Sequence, residues 1–487
     1  MIRLSPLNLR WGWLTFFSII GASLSLLVLN VAPAAAAELH LDGASLSVAF
    51  AGPFAGLLLS IALFPLLAAG FWERHYGKVT LFWVFLFLIP SFGLLGGEVT
   101  LYNALHTLIA EYCPFIILLL ALFTIAGGVR LTGTLAGTPK VNLVFLLIGT
   151  VLASLMGTTG AAMLLIRPYL VASAHRKYRV HNVVFFIFLV ANIGGSLTPL
   201  GDPPLFLGFL KGVSFFWTTV HIWPETLTMV CLLLAIHYLI DLYLYRKEGQ
   251  PQGPKGQPLG LEGSYNFLLI LGVIGLVLYS GLAKSSKGIV IWGDIDYLYS
   301  NLLRDGGLLF LTGLSLWITP KSVRRGNHFT WGPIVEVAKI FAGIFIAMIP
   351  AIAILKAGSL GALKSLVGLV TDSNGQPVNI AYFWLTGSLS SFLDNAPTYL
   401  VFFNAAGGEA KALMNDLPQT LAAISCGAVF MGANTYIGNA PNFMVRSIAE
   451  ERGVHMPSFF GYMVWSIGIL VPLFLGLSWL FFASSPK

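Results

Sequence analysis

The sequence predicts an all-α polytopic membrane protein made of two inverted-topology repeats. Each has five transmembrane helices plus a re-entrant helical hairpin, with broken helices near the bilayer midplane. Three observations predict it. Of 487 residues, 57% are hydrophobic and 10% charged, at a mean hydropathy of +0.83, whereas a soluble chain carries about 25% charged residues. Two pairs of apolar segments, about 236 residues apart, are interrupted by the same kind of polar, Gly- and Pro-rich sequence. A polar stretch, RKEGQPQGPKGQPLGLEGS at 246–264, separates the pairs and reads as a cytoplasmic linker.

The elements follow in order. Arg3 and Arg10 precede an apolar run from Trp11 to Val31, and an Ala-x-Ala ending at Ala37 resembles a signal-peptidase site. Residues 1–37 are therefore a signal peptide or an extra first transmembrane helix, and either outcome leaves residue 38 outside. Repeat 1 occupies 38–245, with spans at 46–70, 79–97, 104–127, 182–210 and 221–245 and a hairpin at 141–173. Repeat 2 occupies 265–487, with spans at 265–283, 302–320, 331–356, 418–446 and 457–482 and a hairpin at 380–405. The order of elements is the same in both.

Length identifies the hairpins. The 17 residues from Val141 to Gly157 reach only about 25 Å, and the 13 to 14 residues on either side of Asp394 about 20 Å, against an apolar core of about 30 Å. Two complete but short spans are the alternative, and the basic residues speak against part of it. With hairpins returning to their own side, 17 of the 27 Lys and Arg fall inside and eight outside. Five crossings per repeat then invert the second repeat, with hairpin 1 entering from the cytoplasm and hairpin 2 from outside. The expected location is the cytoplasmic (inner) membrane, with an uncleaved N-terminus inside and the C-terminus outside.

Composition also excludes functions. The net charge of +7 sits in short loops between apolar spans, so nucleic acid is not a partner. Cys113, Cys231 and Cys426 are distant from one another and lie in apolar stretches, leaving no disulfide framework or C-x-x-C site. No H-E-x-x-H occurs, so no resident metal or cofactor is expected.

Function is carried by the interruptions. The first pair reads MGTTGAAMLLIRP around Thr159 and NIGGSLTPLGDPPLFLGF around Asp202; the second reads SSFLDNAPTYLVFF around Asn395 and GANTYIGNAPNFMV around Asn439. Lipid offers no partner to freed N–H and C=O groups, so backbone leaves the helix at this depth only around a protected cavity. Matched breaks in two halves point to the solute site of a secondary carrier. Asp202 follows Pro199 and Gly201 and precedes Pro203 and Pro204, which frees carbonyls beside a carboxylate, the chemistry of a hard-cation site. An intramembrane Asp is expensive and is a functional residue by default. Burial favours a proton on it and a bound cation displaces that proton, so H⁺ and Na⁺ compete for one group. Asp394 is the second such carboxylate. The expected ion or substrate ligands are Thr158, Thr159, Asn192, Ser196, Thr198, Gly201 and Asp202 from the first half, and Asp394, Asn395, Thr398, Asn434, Thr435, Gly438, Asn439 and Asn442 from the second. Asp202 and Asp394 are the proton-coupling pair. The alternative is that the amides merely satisfy loosened backbone.

The tip and broken-helix pair in each half resembles the ion transporter superfamily. NIGGSLTPLGD at Asn192–Asp202 and LDNAP at Leu393–Pro397 resemble NhaD-type sodium/proton antiporters and a citrate-transport (CitMHS-related) branch. The resemblance implies hairpin tips meeting near mid-membrane, an elevator-like movement and a homodimer. Two departures stand out: the tip Met156–Gly160 lacks the acidic residue such antiporters tend to carry, and neither hairpin has the Ser-Asn-Thr tip of sodium/dicarboxylate carriers.

The expected function is thus a sodium/proton antiporter moving Na⁺ and H⁺. The alternative is a Na⁺- or H⁺-coupled citrate or dicarboxylate carrier, since helix starts at the tips could hold a small anionic solute, with arsenite transport a lesser option. An aspartyl intramembrane protease is disfavoured because Pro199 stands where its G-x-G-D motif needs Gly. Arg167 is expected to snorkel to the cytoplasmic face, and Glu336 and Lys339 to neutralise each other.

Overall fold

Apolar runs in this chain become helices because a helix satisfies every backbone donor and acceptor within itself, the requirement lipid imposes. The computed structural model describes residues 39–483 apart from 252, 254–256, 284–286 and 294. The expected leader or extra helix at 1–37 lies outside the described residues, as do residues 484–487. The principal helices of the first half are α1 (Gly52–Leu67), α2 (Ala69–Leu94), α3 (Gly97–Ala126), α4 (Pro139–Met156), α5 (Thr158–Ala172), α6 (Val180–Leu189), α7 (Pro203–Leu210) and α8 (Trp223–Lys247). Those of the second half are α9 (Asn266–Leu282), α10 (Tyr299–Ile318), α11 (Gly332–Ala347), α12 (Ile349–Lys356), α13 (Asn379–Phe392), α14 (Asn395–Ala405), α15 (Pro418–Met431), α16 (Ala440–Glu451) and α17 (Phe459–Phe482). Among the described residues, 7 helices are long and apolar enough to cross a membrane, and the pair α11 and α12, bent by 44°, adds an eighth.

Two helix–turn–helix units and two broken helices occupy the segments expected as hairpins and breaks, and the first limb of the first hairpin, expected to fall short of the far side, is one of the seven helices long enough to cross. Helices α4 and α5 pack on each other around Gly157, whose φ of 81° is a left-handed turn that glycine adopts at no steric cost. Helices α13 and α14 meet at Leu393 and Asp394. The helix α6 gives way to a short 3₁₀ turn, Ile193–Leu197, before α7; α15 gives way to Gly432–Asn434 before α16. Every residue from Val183 to Ala191 is 0% exposed. A helix apolar all round is one enclosed by others, and α6 is packed against α4, α8 and α16.

Four differences from the expected spans have local causes. The span expected at 331–356 bends because Pro350 lacks an N–H for the helix and its ring crowds the preceding turn. Helix α2 starts ten residues early, at Ala69, so that Arg74 and Lys78 lie on a helix rather than in a loop. Arg304, one of the eight basic residues counted on the outer side, is 2% exposed in the first turns of α10, paired with Asp305 at 2.6 Å. Part of the 246–264 linker is ordered: Gln257–Glu262 (β2) pairs antiparallel with Arg130–Thr134 (β1), which satisfies a polar backbone that no apolar face could bury. A second small ribbon joins Gly288–Trp292 to Ile295–Leu298.

At each break the chain crosses itself so closely that only glycine fits. A Cβ on Gly201 would lie 2.1 Å from the Gly195 carbonyl oxygen, and one on Gly438 would lie 2.5 Å from that of Gly432 and 2.8 Å from that of Ser390. Gly201→Ala is expected to destabilise the protein by about 1–3 kcal/mol or more, seen as a lower melting temperature in detergent. Gly468→Ala, at a site with nothing within 4 Å, should melt like the wild type; equal melting of both variants would refute the crossing.

Candidate functional site

Four helices begin at one point. Thr158 opens α5, Asp202 immediately precedes α7, Asn395 opens α14 and Asn439 immediately precedes α16. The first N–H groups of a helix have no intrahelical partner and carry partial positive charge. The Asp202 carboxylate, 1% exposed, sits among all four starts. Its Oδ1 accepts from Thr158 Oγ1 at 3.1 Å and Asn439 Nδ2 at 3.0 Å, and its Oδ2 accepts from Asn395 Nδ2 at 2.5 Å. Two of those three donors come from the other half of the chain.

Behind the carboxylate the amides continue. Asn439 Nδ2 also reaches the Ala191 carbonyl at 3.1 Å and Asn192 Oδ1 at 3.3 Å. Asn192 Nδ2 donates to the Ile187 carbonyl at 2.8 Å and to Asn442 Oδ1 at 2.7 Å, and Asn442 Nδ2 donates to the carbonyls of Gly432 at 2.8 Å and Thr435 at 2.9 Å. These are carbonyls that the breaks release. The amides therefore both satisfy loosened backbone and lock one broken helix to the other.

A second pattern repeats at a spacing of 237 residues. Thr198 Oγ1 donates to the Ser154 carbonyl and accepts from Leu200 N, while Thr435 Oγ1 donates to the Ser391 carbonyl and accepts from Ile437 N and Gly438 N. Each threonine thus staples its break to the first limb of its own hairpin. Ser154 Oγ in turn donates to the Gly194 carbonyl at 2.6 Å, and Ser391 Oγ to that of Met431 at 3.0 Å.

A cavity of about 120 Å³ opens beside Asp202. Its polar lining is Gly157, Thr158, Thr159, Asp202, Asp394 and Asn439; its apolar walls include Met156, Leu118 and Leu122 from α3, Phe341 from α11 and Met444 from α16. Among the described residues that line it there is no Lys, Arg or His. Asn395 Oδ1, on the residue next to Asp394, is buried without a hydrogen-bond partner. Asp394 itself is half-buried, and its Oδ1 caps α14 by accepting from Ala396 N at 3.1 Å.

The residues singled out by sequence thus divide. Thr158, Asp202, Asn395 and Asn439 meet directly, Thr159 and Asp394 line the cavity, and Asn192 and Asn442 form the layer behind. Gly201 and Gly438 make the crossings. Ser196 instead points away, its Oγ 2.7 Å from Thr226 Oγ1 on α8. Thr198 and Thr435 are staples, Thr398 Oγ1 bonds its own turn at the Asp394 carbonyl (2.9 Å), and Asn434 Nδ2 holds Ser391 Oγ at 2.9 Å. Sequence reasoning missed Ser154 and Ser391, which the 237-residue spacing would have revealed, and a buried cluster of His181, His237 and Asp241, whose residues are too far apart in sequence to form a motif. Of the other two sequence readings, Lys339 lies over the Tyr76 ring, 5.5 Å from its centre, rather than against Glu336, and Arg167 Nη1 is buried without a partner.

The chain belongs to the “Putative citrate transport” family. The family model matches residues 43–482, a range that includes both hairpins and both breaks. An uncharacterized transporter of Mycobacterium tuberculosis and one of Mycobacterium bovis are each 24% identical to it over 365 residues, covering 69% of this chain and 78% of theirs. This citrate-transport family member is a multi-pass membrane transporter, and the bilayer and a small solute are its partners.

The amide layer can be tested without any transport assay. Asn192→Ala and Asn442→Ala, separately and together, form a double-mutant cycle in SDS-titrated unfolding, where two directly bonded side chains should couple by about 0.5–3 kcal/mol. Strict additivity would mean that the two broken helices are not locked through this pair.

Proposed function

We propose that the protein exchanges Na⁺ for H⁺ across the inner membrane, with Asp202 and Asp394 as the groups at which proton and cation compete. One observation carries this reading: the cavity where the breaks meet offers two carboxylates and hydroxyl and amide groups, and no basic side chain. Oxygen donors of this kind suit a hard cation. The Asn395 amide turns its Nδ2 to Asp202 and leaves its Oδ1 buried without a partner. A proton on Asp202 or Asp394 and a Na⁺ beside it both lower the cost of a buried charge, so each excludes the other.

The rest of the reading is what the resemblance to the ion transporter superfamily implies. The two halves are inverted repeats, the hairpin-bearing units move together in an elevator-like alternation against α3, α9, α10 and α11, and the chain works as a homodimer. A second reading is a cation-coupled carrier of citrate or another small dicarboxylate. The family description favours it, and so do the four helix starts at Asp202, since such starts attract anions. In that case the carboxylates would hold the coupling ion and the helix starts the substrate.

A pH-gradient assay in reconstituted vesicles separates the two. Na⁺, Li⁺ and K⁺ are each added alone and then together with citrate, succinate or arsenite. A response to a cation alone supports exchange; a response that needs the organic acid selects the second reading. Asp202→Asn is expected to abolish coupled flux while insertion remains intact, and wild-type rates from that variant would remove Asp202 from the mechanism.

A further inference from the structure

Beside the first hairpin, away from the central cavity, the fold leaves a groove of about 430 Å³. One wall is a stripe on α4: Val141, Val144, Ile148 and Leu152 recur at intervals of three and four residues and so share a face. The other walls come from different parts of the chain, with Leu165 on α5, Leu259 and Leu261 on β2 and Phe267 on α9. The groove therefore lies where the first hairpin meets the ordered part of the linker and the second half.

Its lining presents no polar surface, so it offers a solute no hydrogen bond. It is also open at the side: Val144, Ile148, Leu259 and Leu261 belong to its walls and are still between 45% and 51% exposed. Leu147 and Val151, likewise exposed, continue the same surface along a helix long enough to cross a membrane, where such a surface meets acyl chains. Leu259 and Leu261, two apart on a strand, lie on one face of it, so the ribbon turns an apolar face to the groove. Depth points to the occupant. From Val141 to Leu152 the helix rises about 17 Å, against about 15 Å for the apolar half-thickness of a bilayer, the depth that one lipid chain fills.

Charge points to its headgroup. Among the described residues that line the groove Lys140 alone is charged; it is exposed at the start of α4, on the side that the basic residues assign to the cytoplasm. The carboxylates around it are taken. Glu262 pairs with Arg130 at 3.3 Å, and Asp241 and Glu248, reached through Asn142 on another face of α4, pair with Arg176 at 2.8 and 3.1 Å. Lys177 and Lys247, both over the Tyr178 ring, add positive charge to the same side. Among the described residues Lys140 itself forms no ion pair, which leaves its ammonium for a group outside the chain.

We propose that the groove holds one acyl chain of an anionic phospholipid, its phosphate on Lys140, and that this lipid completes the wall between the first hairpin and the β1–β2 ribbon. The inference does not depend on which solute the central cavity takes.

Photolabelling of the full chain in phosphatidylcholine nanodiscs tests it, with a trace of either phosphatidylglycerol or phosphatidylcholine that carries a diazirine in its acyl chain, and with adducts mapped by peptide mass spectrometry. Phosphatidylglycerol should label 141–152 and 257–262 several-fold more densely than the lipid-facing residues Phe82 on α2 and Trp479 on α17. It should exceed phosphatidylcholine in the groove by about fivefold, the weight of one lysine at an anionic headgroup. Ile148→Trp, which fills the groove, should remove the groove adducts and keep those on α2 and α17. Lys140→Gln should bring the phosphatidylglycerol yield down to that of phosphatidylcholine. Groove labelling no denser than that of α2 and α17, or groove labelling that survives in Ile148→Trp, would overturn the site. Equal yields from the two lipids in the wild type, or a preference for phosphatidylglycerol that persists in Lys140→Gln, would overturn the anionic headgroup.

Discussion

Everything at the centre of this protein depends on one carboxylate buried among four helix starts. Backbone that leaves the helix inside a membrane protein must find new partners within the protein, and here the partners are organised around Asp202. Its negative charge answers the positive ends of α5, α7, α14 and α16, and it accepts one hydrogen bond from each of the three side chains that belong to the other starts. Each end contributes only about 0.3–1 kcal/mol. Four acting together, with three donors, can hold a charge where an isolated one would be expelled. The same arrangement sets the spacing of everything else, because Thr158 lies on one hairpin, Asn395 on the other and Asn439 on the opposite broken helix.

The second constraint is the accounting of released carbonyls. In the first break, Ser154 Oγ takes up the Gly194 carbonyl, and Thr218 and Thr219 take up that of Leu197. In the second, Tyr462 takes up the Ala433 carbonyl and Ser466 that of Asn434. The long helices α8 and α17 therefore carry polar residues on the faces turned toward the breaks: Thr226 for α8, Tyr462 and Ser466 for α17. Their outer faces stay apolar, as exposed Leu239 on α8 and Trp479 on α17 illustrate.

What was legible in the sequence was local. Gly157 between two apolar runs, the Pro199–Pro204 segment and the Gly438–Pro441 segment each announce a loss of helical hydrogen bonding within a few residues, and the hairpins and breaks fall where those signals stand. Long-range partners left no such trace. Nothing near Ser196 says that it faces Thr226, 30 residues on, rather than the cavity, and nothing near Asn395 says that its amide meets a carboxylate 193 residues earlier. Threonines 198 and 435 look like ligands in a list of polar residues, yet their hydroxyls are consumed by hairpin carbonyls. The bend at Pro350 was visible as a proline, but apolar continuity across 331–356 argued for a single span. The paired strand at Gln257–Glu262 lay in a segment whose Gly and Pro content hid the partner at Arg130–Thr134.

The departures from symmetry carry the remaining argument. At a spacing of 237 residues, Ser154 matches Ser391, Thr198 matches Thr435 and Gly201 matches Gly438, so the residues that shape the breaks are the same in both halves. The residues around the central cavity and Asp202 are not. Gly157 is matched by Asp394, Thr158 by Asn395 and Asp202 by Asn439. One half places its acid on the broken helix and the other on the hairpin tip, so that the common cavity receives one carboxylate from each half while Asp202 receives an amide from each element of the opposite half. Two aspartates at matching positions would have faced each other across the crossing and repelled. Offsetting them keeps both at the cavity wall, with the Asn395 and Asn439 amides bonded to Asp202.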